Sequence, residues 1–300
     1  MPASSVFSTQ PTLRLEDIHG NGVPSTVVIL SLYNDSQCLT AAGSVGLVGN
    51  TASTNGSGFA SFSIFQATIS GSYYVKATSI GSLATNCSLS SLNVTFGVLD
   101  SLAFTTQPGG SVAAGMTLPT QPIVSIQDAF GNGIPSVLVT LSLYTDSSCA
   151  TEAGSVGQSG NTSTTDSNGL TSFSSFRATQ MGVYYIKASG TGLSTNCSTN
   201  PLTVTYGTLS ALSFSTQPGG SVIAGASFTT QPVLYAVDVY GNAVSSASIT
   251  LTAFSNSGCS TPGTGSISNG VVSSALSGYA TFTTAFYNRV QTINLKATSG

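Results

Sequence analysis

Hydrophobic and polar residues alternate with a period of two along much of the chain. In the clearest run, "VLVTLSLY", one face consists of Val137, Val139, Leu141 and Leu143. Successive side chains of a β-strand point to opposite sides of a sheet, so this pattern indicates half-buried strands. Turn sequences such as "GNG", "TDSNG" and "QPGG" separate the runs, and no stretch has convincing helical periodicity. The pattern therefore predicts an all-β protein built from short strands.

The same set of segments occurs three times. "LAFTTQPGGSVAAG", which begins at Leu102, recurs as "LSFSTQPGGSVIAG" from Leu212. The turn "DIHGNGVPS" at Asp17 recurs as "DAFGNGIPS" at Asp128 and as "DVYGNAVSS" at Asp238. A period of about 110 residues is too long for a solenoid repeat and is typical of an array of complete domains.

Seven or so short strands in each period are typical of an immunoglobulin-type β-sandwich. We expect tandem sandwiches in a head-to-tail array, with residues 1–98 as a first unit that lacks its first strand. Residues 99–208 are then a complete second unit, and residues 209–300 a third unit that lacks its last strand. The joint after the second unit has only about four residues from Gly207 between strands, which predicts a semi-rigid rod.

Three motifs carry a family resemblance: the D-x-x-G-N turn, a D-x-N-G turn and a Y-x-K-A strand. With "FTTQPGGSVAAG" and "TQPIVSIQDAFGNGIPSVLVTLSL" around them, they resemble the bacterial immunoglobulin-like repeats of large cell-surface and adhesin-type proteins. The invasin/intimin group is the best-known relative. The resemblance covers essentially the whole chain and implies a stalk or spacer role, since such domains mostly serve as stalks.

Composition narrows the choice of partners. Charged residues make up only 5% of the chain and the formal net charge is −3, so no basic surface exists to bind nucleic acid. The sequence contains no run of about 18 apolar residues, so no membrane span is predicted in this segment. A surface rich in Ser, Thr, Asn and Gly has little charge repulsion, which favours self-association into a filament or with neighbouring repeats.

The cysteines recur in pairs, and C-x-x-C spacing typical of a zinc site is absent. Cys38 and Cys149 follow the long alternating strand, while Cys87 and Cys197 lie near the ends of their units. Such pairs indicate disulfides and an oxidising, extracellular or cell-surface location. Cys38–Cys87 and Cys149–Cys197 are the simplest pairs, but a bridge from Cys38 to Cys197 of a neighbouring unit or between rods stays open. The repeat places the partner of Cys259 beyond Gly300, which predicts a segment of a longer array.

The D-x-x-G-N turn offers the clearest candidate polar site. Asp17, Asp128 and Asp238 are predicted to cap a tight turn whose glycine takes positive φ. Calcium binding is the alternative, but calcium needs six or more oxygens and only nine acidic residues are present. His19, the only histidine, aligns with Phe130 and Tyr240 and is predicted to pack in the loop.

No residues form a pattern that predicts catalysis. The sequence has no Ser/His/Asp arrangement, paired carboxylates or glycine-rich phosphate loop, so we expect neither an enzyme nor a cofactor or metal.

Glycans are a further expected partner. N-x-S/T sequences, the candidate N-glycosylation sites, begin at Asn34, Asn55, Asn86, Asn93, Asn161 and Asn196. Tyr74 and Tyr185, on the same strand face as Lys76 and Lys187, are candidates for sugar binding.

These observations favour a non-enzymatic extracellular structural protein that forms a stiff stalk or filament. The alternative is a cell-surface adhesin module that binds a receptor, glycan or surface through its loops.

Overall fold

The computed structural model describes residues 1–81 and 85–299, and these residues form 24 strands and no helix. The first set consists of β1 (Thr12–Arg14), β2 (Val27–Tyr33), β3 (Thr51–Ser53), β4 (Phe59–Ser61), β5 (Gly71–Ser79), β6 (Thr85–Cys87) and β7 (Leu92–Val94). The second consists of β8 (Ser101–Thr106), β9 (Gly110–Ala113), β10 (Ile123–Gln127), β11 (Leu138–Tyr144), β12 (Thr162–Thr164), β13 (Leu170–Ser172), β14 (Gly182–Gly190), β15 (Asn196–Cys197) and β16 (Leu202–Thr205). The third consists of β17 (Leu209–Thr216), β18 (Val233–Asp238), β19 (Ser248–Phe254), β20 (Ile267–Ser268), β21 (Val271–Ser273), β22 (Tyr279–Thr281), β23 (Phe286–Tyr287) and β24 (Asn294–Ser299).

The second set has the most complete topology. One sheet has the order β13-β10-β8 and the other the order β12-β11-β14-β16-β9, with β15 also paired to β14. Strand β9 runs parallel to β16, whereas the other pairs are antiparallel. Two such sheets around one core form an immunoglobulin-like β-sandwich, so the predicted all-β fold is confirmed.

The alternating runs supply the core. Val139, Leu141 and Leu143 on β11 are fully buried, and the intervening residues are not. Equivalent residues of β2 and β19, Leu30 and Ile249, are buried in the same way. Within the described residues the apolar side chains form three separate clusters, one for each set of strands.

We call the three sets of strands the first, second and third units. At two core positions, a large and a small side chain are interchanged between the second and third units. Phe176 and Ala178 are fully buried in the second unit. Phe65 and Ala67 occupy the matching places in the first unit. In the third unit these positions hold Ala285 and Tyr287, which are also buried. A large and a small side chain have therefore changed places while the volume of the core is largely kept.

Candidate functional site

The Asp128 turn is closed by its own side chain. Asp128 Oδ1 accepts hydrogen bonds from the backbone N–H groups of Phe130 and Asn132, each at 2.9 Å. The intervening Gly131 has a φ of 84°, a left-handed conformation that glycine adopts without steric cost. A carboxylate that accepts the N–H groups two and four residues on fixes this turn locally.

The same turn also joins the second unit to the first. The Asn132 side chain donates its Nδ2 to the Thr68 carbonyl at 2.8 Å and accepts the Ser70 N–H at 2.7 Å. Asp128 Oδ2 accepts the N–H of Gly97, in the linker, at 2.7 Å and Asn132 Nδ2 at 2.8 Å. We call this arrangement, formed by Asp128 and Asn132 with their partners in the preceding unit, the junction clasp.

A second junction clasp joins the third unit to the second. Asn242 Nδ2 donates to the Thr179 carbonyl at 2.7 Å, and Asn242 Oδ1 accepts the Met181 N–H at 2.9 Å. Asp238 Oδ2 accepts the N–H of Gly207 at 2.7 Å. Every hydrogen bond of the first clasp thus has a counterpart of nearly the same length in the second.

The aromatic position of the turn packs across the second junction. Tyr240 lies against Gly115 of the preceding unit so closely that a Cβ at Gly115 would overlap the tyrosine ring. The Gln180 side chain also donates to the Tyr240 carbonyl at 3.4 Å. The ring therefore adds apolar contact to the hydrogen bonds of the clasp.

The clasp carboxylates are held in the charged state. Asp128 and Asp238 are each only 3% exposed, and this burial raises their pKa. Hydrogen bonds from the Asn side-chain amides and from the linker N–H groups lower the pKa by more than burial raises it. The net result is a pKa below the ordinary value of 3.8. In each carboxylate, Oδ1 accepts the N–H groups of its own turn and Oδ2 accepts the N–H of the linker.

The first unit has the same turn without a neighbour among the described residues. Asp17 Oδ1 accepts the N–H groups of His19 and Asn21, and Asn21 Nδ2 donates to Asp17 Oδ2 at 3.0 Å. Asp17, His19 and Asn21 are all exposed. The hydrogen bonds within the turn therefore need no neighbouring unit, whereas at the two junctions the same turn is buried.

Disulfides lie within the first and second units. Cys38 bonds to Cys87 and Cys149 to Cys197, with Cα atoms 6.0 Å and 5.9 Å apart. Strand β6 returns along β5 and places Cys87 beside Lys76, so Cys87 does not stay at the end of β5. The loop after β2 also folds back. These two reversals of the chain bring the bonded cysteines together, although the order of the strands alone would keep them apart.

A carboxylate shapes the loop that carries each bridge. Asp35 accepts backbone N–H groups from Gln37, Leu39 and Thr40, and these hydrogen bonds, led by that of Thr40, lower its pKa. Asp146 has the same role in the second unit and its pKa is also lowered, with Ser148 as the first cause.

The third unit differs at this loop. Asn256 replaces the aspartate and accepts the N–H groups of Ser260 and Thr261. Cys259 is half-buried and has no disulfide partner in the part of the chain that the structure describes. The expectation that its partner lies beyond Gly300 stays a prediction.

The candidate glycosylation sites differ in access. Asn34, Asn55, Asn86 and Asn93 are exposed, whereas Asn161 and Asn196 are half-buried. The amide nitrogen of Asn161, the atom that a glycan would occupy, donates to the Leu141 carbonyl at 3.1 Å. Asn161 is therefore the least favourable of the six sites.

The strand face with the tyrosines is a packed surface. Lys76 Nζ lies 5.1 Å from the centre of the Tyr33 ring, and Lys187 Nζ lies 4.9 Å from that of Tyr144. Tyr74 and Tyr185 are half-buried next to these cation–π pairs. These lysines thus contact aromatic rings of the protein itself.

The residues described contain no group of three or more His, Cys, Asp or Glu side chains able to hold a metal ion. In the same ranges, no helix is long and apolar enough to cross a membrane.

Sequence reasoning predicted the local role of the aspartates but missed the role of the asparagines. Asn21, Asn132 and Asn242 occupy the same place in all three turns, and that identity was the available signal. A side chain needed only for the turn would tolerate replacement there, whereas a side chain that also contacts another unit would not.

No protein-family model matches the sequence, and no curated protein matches it either. Solved structures do match over nearly the whole chain. InvD of Yersinia pseudotuberculosis is 18% identical, with 96% of this chain and 77% of that one covered and a TM-score of 0.43. The Escherichia coli adhesin FdeC is 17% identical, with 99% and 90% covered and a TM-score of 0.45. An I-band fragment of titin is 12% identical, with 94% and 83% covered and a TM-score of 0.31.

Proposed function

We propose that this chain is a stiff segment of an extracellular stalk or filament and that its role is mechanical rather than enzymatic. The observation that carries the proposal is the repetition of the same buried junction clasp at both joints. A flexible tether needs no such contact, whereas a rod needs the same contact at every joint. The two disulfides, typical of secreted proteins, support the extracellular location.

The clasp restricts bending for a physical reason. Hinge motion at the first junction would pull Thr68 O and Ser70 N away from Asn132 and the Gly97 N–H away from Asp128. The hydrogen bond to the charged Asp128 contributes about 1.5–3 kcal/mol, and the two neutral bonds of Asn132 contribute about 0.5–1.5 kcal/mol each. The observed geometry of each joint is therefore favoured over a bent one by several kcal/mol.

The surface chemistry supports assembly beyond one chain. Only 5% of residues are charged, so copies lying side by side experience weak electrostatic repulsion. This supports self-association of rods into a filament, with the chain itself as the partner.

The test replaces both clasp asparagines. In Asn132→Ala with Asn242→Ala, each unit keeps its core while the two asparagine hydrogen bonds across each junction are lost. We expect small-angle X-ray scattering to show a shorter maximum dimension and a broader distance distribution than for the unaltered protein. Asn21→Ala is the matched control, because it removes the same bond within the turn without touching another unit.

Equal scattering curves for the double variant and the control would contradict the rod. So would stoichiometric binding of a receptor or glycan by a monomer that never assembles, which would favour the adhesin alternative.

A further inference from the structure

The residues around the first junction clasp also line an open groove between the first and second units. Its volume is about 570 Å³, and small-molecule sites of about 300–1,000 Å³ occur preferentially at such interfaces between domains. Ser70 and Phe96 lie in the wall from the first unit, and Ser136, Asp166 and Ser167 lie in the wall from the second. Both walls lie inside the sequence, far from either end. The groove therefore combines an aromatic ring, a carboxylate and several hydroxyl groups.

The aromatic ring is held differently at the two junctions. Phe96, directly before the linker Gly97, is 37% exposed. Its counterpart at the second junction, Tyr206, is half-buried, and its hydroxyl accepts a hydrogen bond from the Ser245 hydroxyl at 3.0 Å. Phe96 has no hydroxyl, and Pro135 stands in the place of Ser245, so the first junction lacks this bond. The ring of Phe96 is therefore accessible to a ligand in the groove.

Asp166 brings a carboxylate that its turn does not require. Asp166 Oδ1 accepts the N–H groups of Asn168 and Leu170 at 2.8 Å and 3.0 Å, which fixes the exposed side chain and leaves Oδ2 available to a ligand. The third unit has Ala275 at this place. Its backbone N–H donates to the Tyr279 carbonyl, just as that of Asp166 donates to the Leu170 carbonyl. The turn therefore forms without the carboxylate, and the first junction alone carries the charge.

We propose that this groove binds a short neutral oligosaccharide. The C–H groups on one face of a sugar ring carry partial positive charge and pack against the negative face of the Phe96 ring. Asp166 Oδ2 accepts hydrogen bonds from sugar hydroxyls, and the hydroxyls of Ser136 and Ser167 both donate and accept. Among the described residues that line the groove, Asp166 is the only charged one, so an anionic sugar is repelled.

The junction clasp fixes the distance between the two walls. Ser70 lies in the wall from the first unit, and its backbone N–H donates to Asn132 Oδ1 at 2.7 Å. Loss of this bond frees one wall from the other. A saccharide that contacts both walls therefore binds best while the clasp is closed, and by thermodynamic linkage the bound saccharide stabilises the closed joint.

The test measures saturation-transfer NMR on the 300-residue protein with four neutral probes: lactose, maltotriose, cellotriose and triacetylchitotriose. We expect a saturable signal from at least one of them. Sialyllactose, which adds a carboxylate to lactose, is the anionic control and is expected to give no signal at the same concentrations, because Asp166 repels it.

Matched variants locate the site. Asp166→Ala copies the residue of the third unit, so the turn is kept, and it is expected to weaken binding at least about tenfold because hydrogen bonds to a charged acceptor are lost. Phe96→Ala removes the ring and is expected to give a similar loss. Tyr206→Phe, at the second junction, is the control and is expected to leave the affinity unchanged. Asn132→Ala alters no residue that lines the groove and is expected to weaken binding, whereas Asn242→Ala is not.

A lack of signal from all four neutral probes would overturn the proposal, and so would undiminished binding by both Asp166→Ala and Phe96→Ala. A stronger signal from N-acetyl-lysine amide than from every saccharide would also overturn it, because the ring and the carboxylate would then select an ammonium group. Scattering tests the rod without any saccharide, so failure of one proposal leaves the other intact.

Discussion

Asn132 donates its side-chain amide to the backbone carbonyl of Thr68, a residue 64 positions earlier in the neighbouring unit. The same amide bonds to Asp128, four residues earlier in its own turn. One side chain thus couples the shape of a local turn to the geometry of a joint. A change that loosens the turn is expected to loosen the joint as well.

Acid is expected to loosen both junctions. The pKa values of Asp128 and Asp238 are lowered in the folded protein, so their contribution to stability is complete above the ordinary value of 3.8. It is lost as the pH falls below 3.8 through the lowered folded values. Fluorescence energy transfer between labels on neighbouring units should report wider motion in this range, while circular dichroism checks that the sandwiches stay folded.

The aspartates themselves provide the control for this acid effect. The double variant Asp128→Asn with Asp238→Asn places a neutral amide where the N–H groups of Gly97 and Gly207 need a carboxylate oxygen. The joints of this variant should therefore be mobile at every pH. Asp17→Asn alters the exposed copy of the turn and should leave the acid response unchanged. An acid response that persists in the double variant would assign the effect to other groups.

Gly115→Ala should disturb the second junction more than its repeat equivalent, Gly225→Ala. Both glycines have left-handed φ angles, 79° and 85°, so both variants bear the cost of about 1–2 kcal/mol for an L-residue in that region. Only at Gly115 does the new Cβ meet the Tyr240 ring, whereas nothing lies within 4 Å of it at Gly225. Scattering and thermal unfolding should separate the variants, and equal behaviour would exclude a role for the ring contact.

Each disulfide should stabilise its own unit. Cys38→Ser with Cys87→Ser removes a bridge across 49 residues, and the chain-entropy estimate for such a loop is about 4 kcal/mol. Calorimetry should show one transition moved to lower temperature and the others retained. The reciprocal pair, Cys149→Ser with Cys197→Ser, identifies which transition belongs to which unit, and a shift common to all transitions would contradict independent units.

The exchange of large and small residues in the core predicts a rescue. Phe176→Ala should reduce the free energy of unfolding of the second unit by about 3–5 kcal/mol, because it leaves a cavity. Adding Ala178→Tyr reproduces the third unit's pair, Ala285 and Tyr287, and should recover part of that loss. Chemical denaturation of the single and double variants measures the coupling, and strictly additive effects would exclude compensation.

The fold was largely predictable because its information is local. Alternation at Val139, Leu141 and Leu143 predicts both the strand and its buried face, and the turn signals divide one strand from the next. Capping by Asp128 was predictable for the same reason, since its partners Phe130 and Asn132 lie within four residues.

The junction clasp and the return strand were not predictable in the same way. The contacts of Asn132 with Thr68 and Ser70 depend on how two folded units meet, which no periodicity encodes. The three residues of β6 are too few to give an alternating pattern, so the path that brings Cys87 to Cys38 is visible only in three dimensions.

The position of each bridge also limits how far a unit can lengthen under tension. The Cys149–Cys197 bond removes 48 residues from the part of the second unit that can be pulled straight. A repeat of about 110 residues would extend to roughly 380 Å without the bridge, and to roughly 220 Å with it. The bridge therefore ends the extension of each such unit while nearly half of its chain is still held in a closed loop.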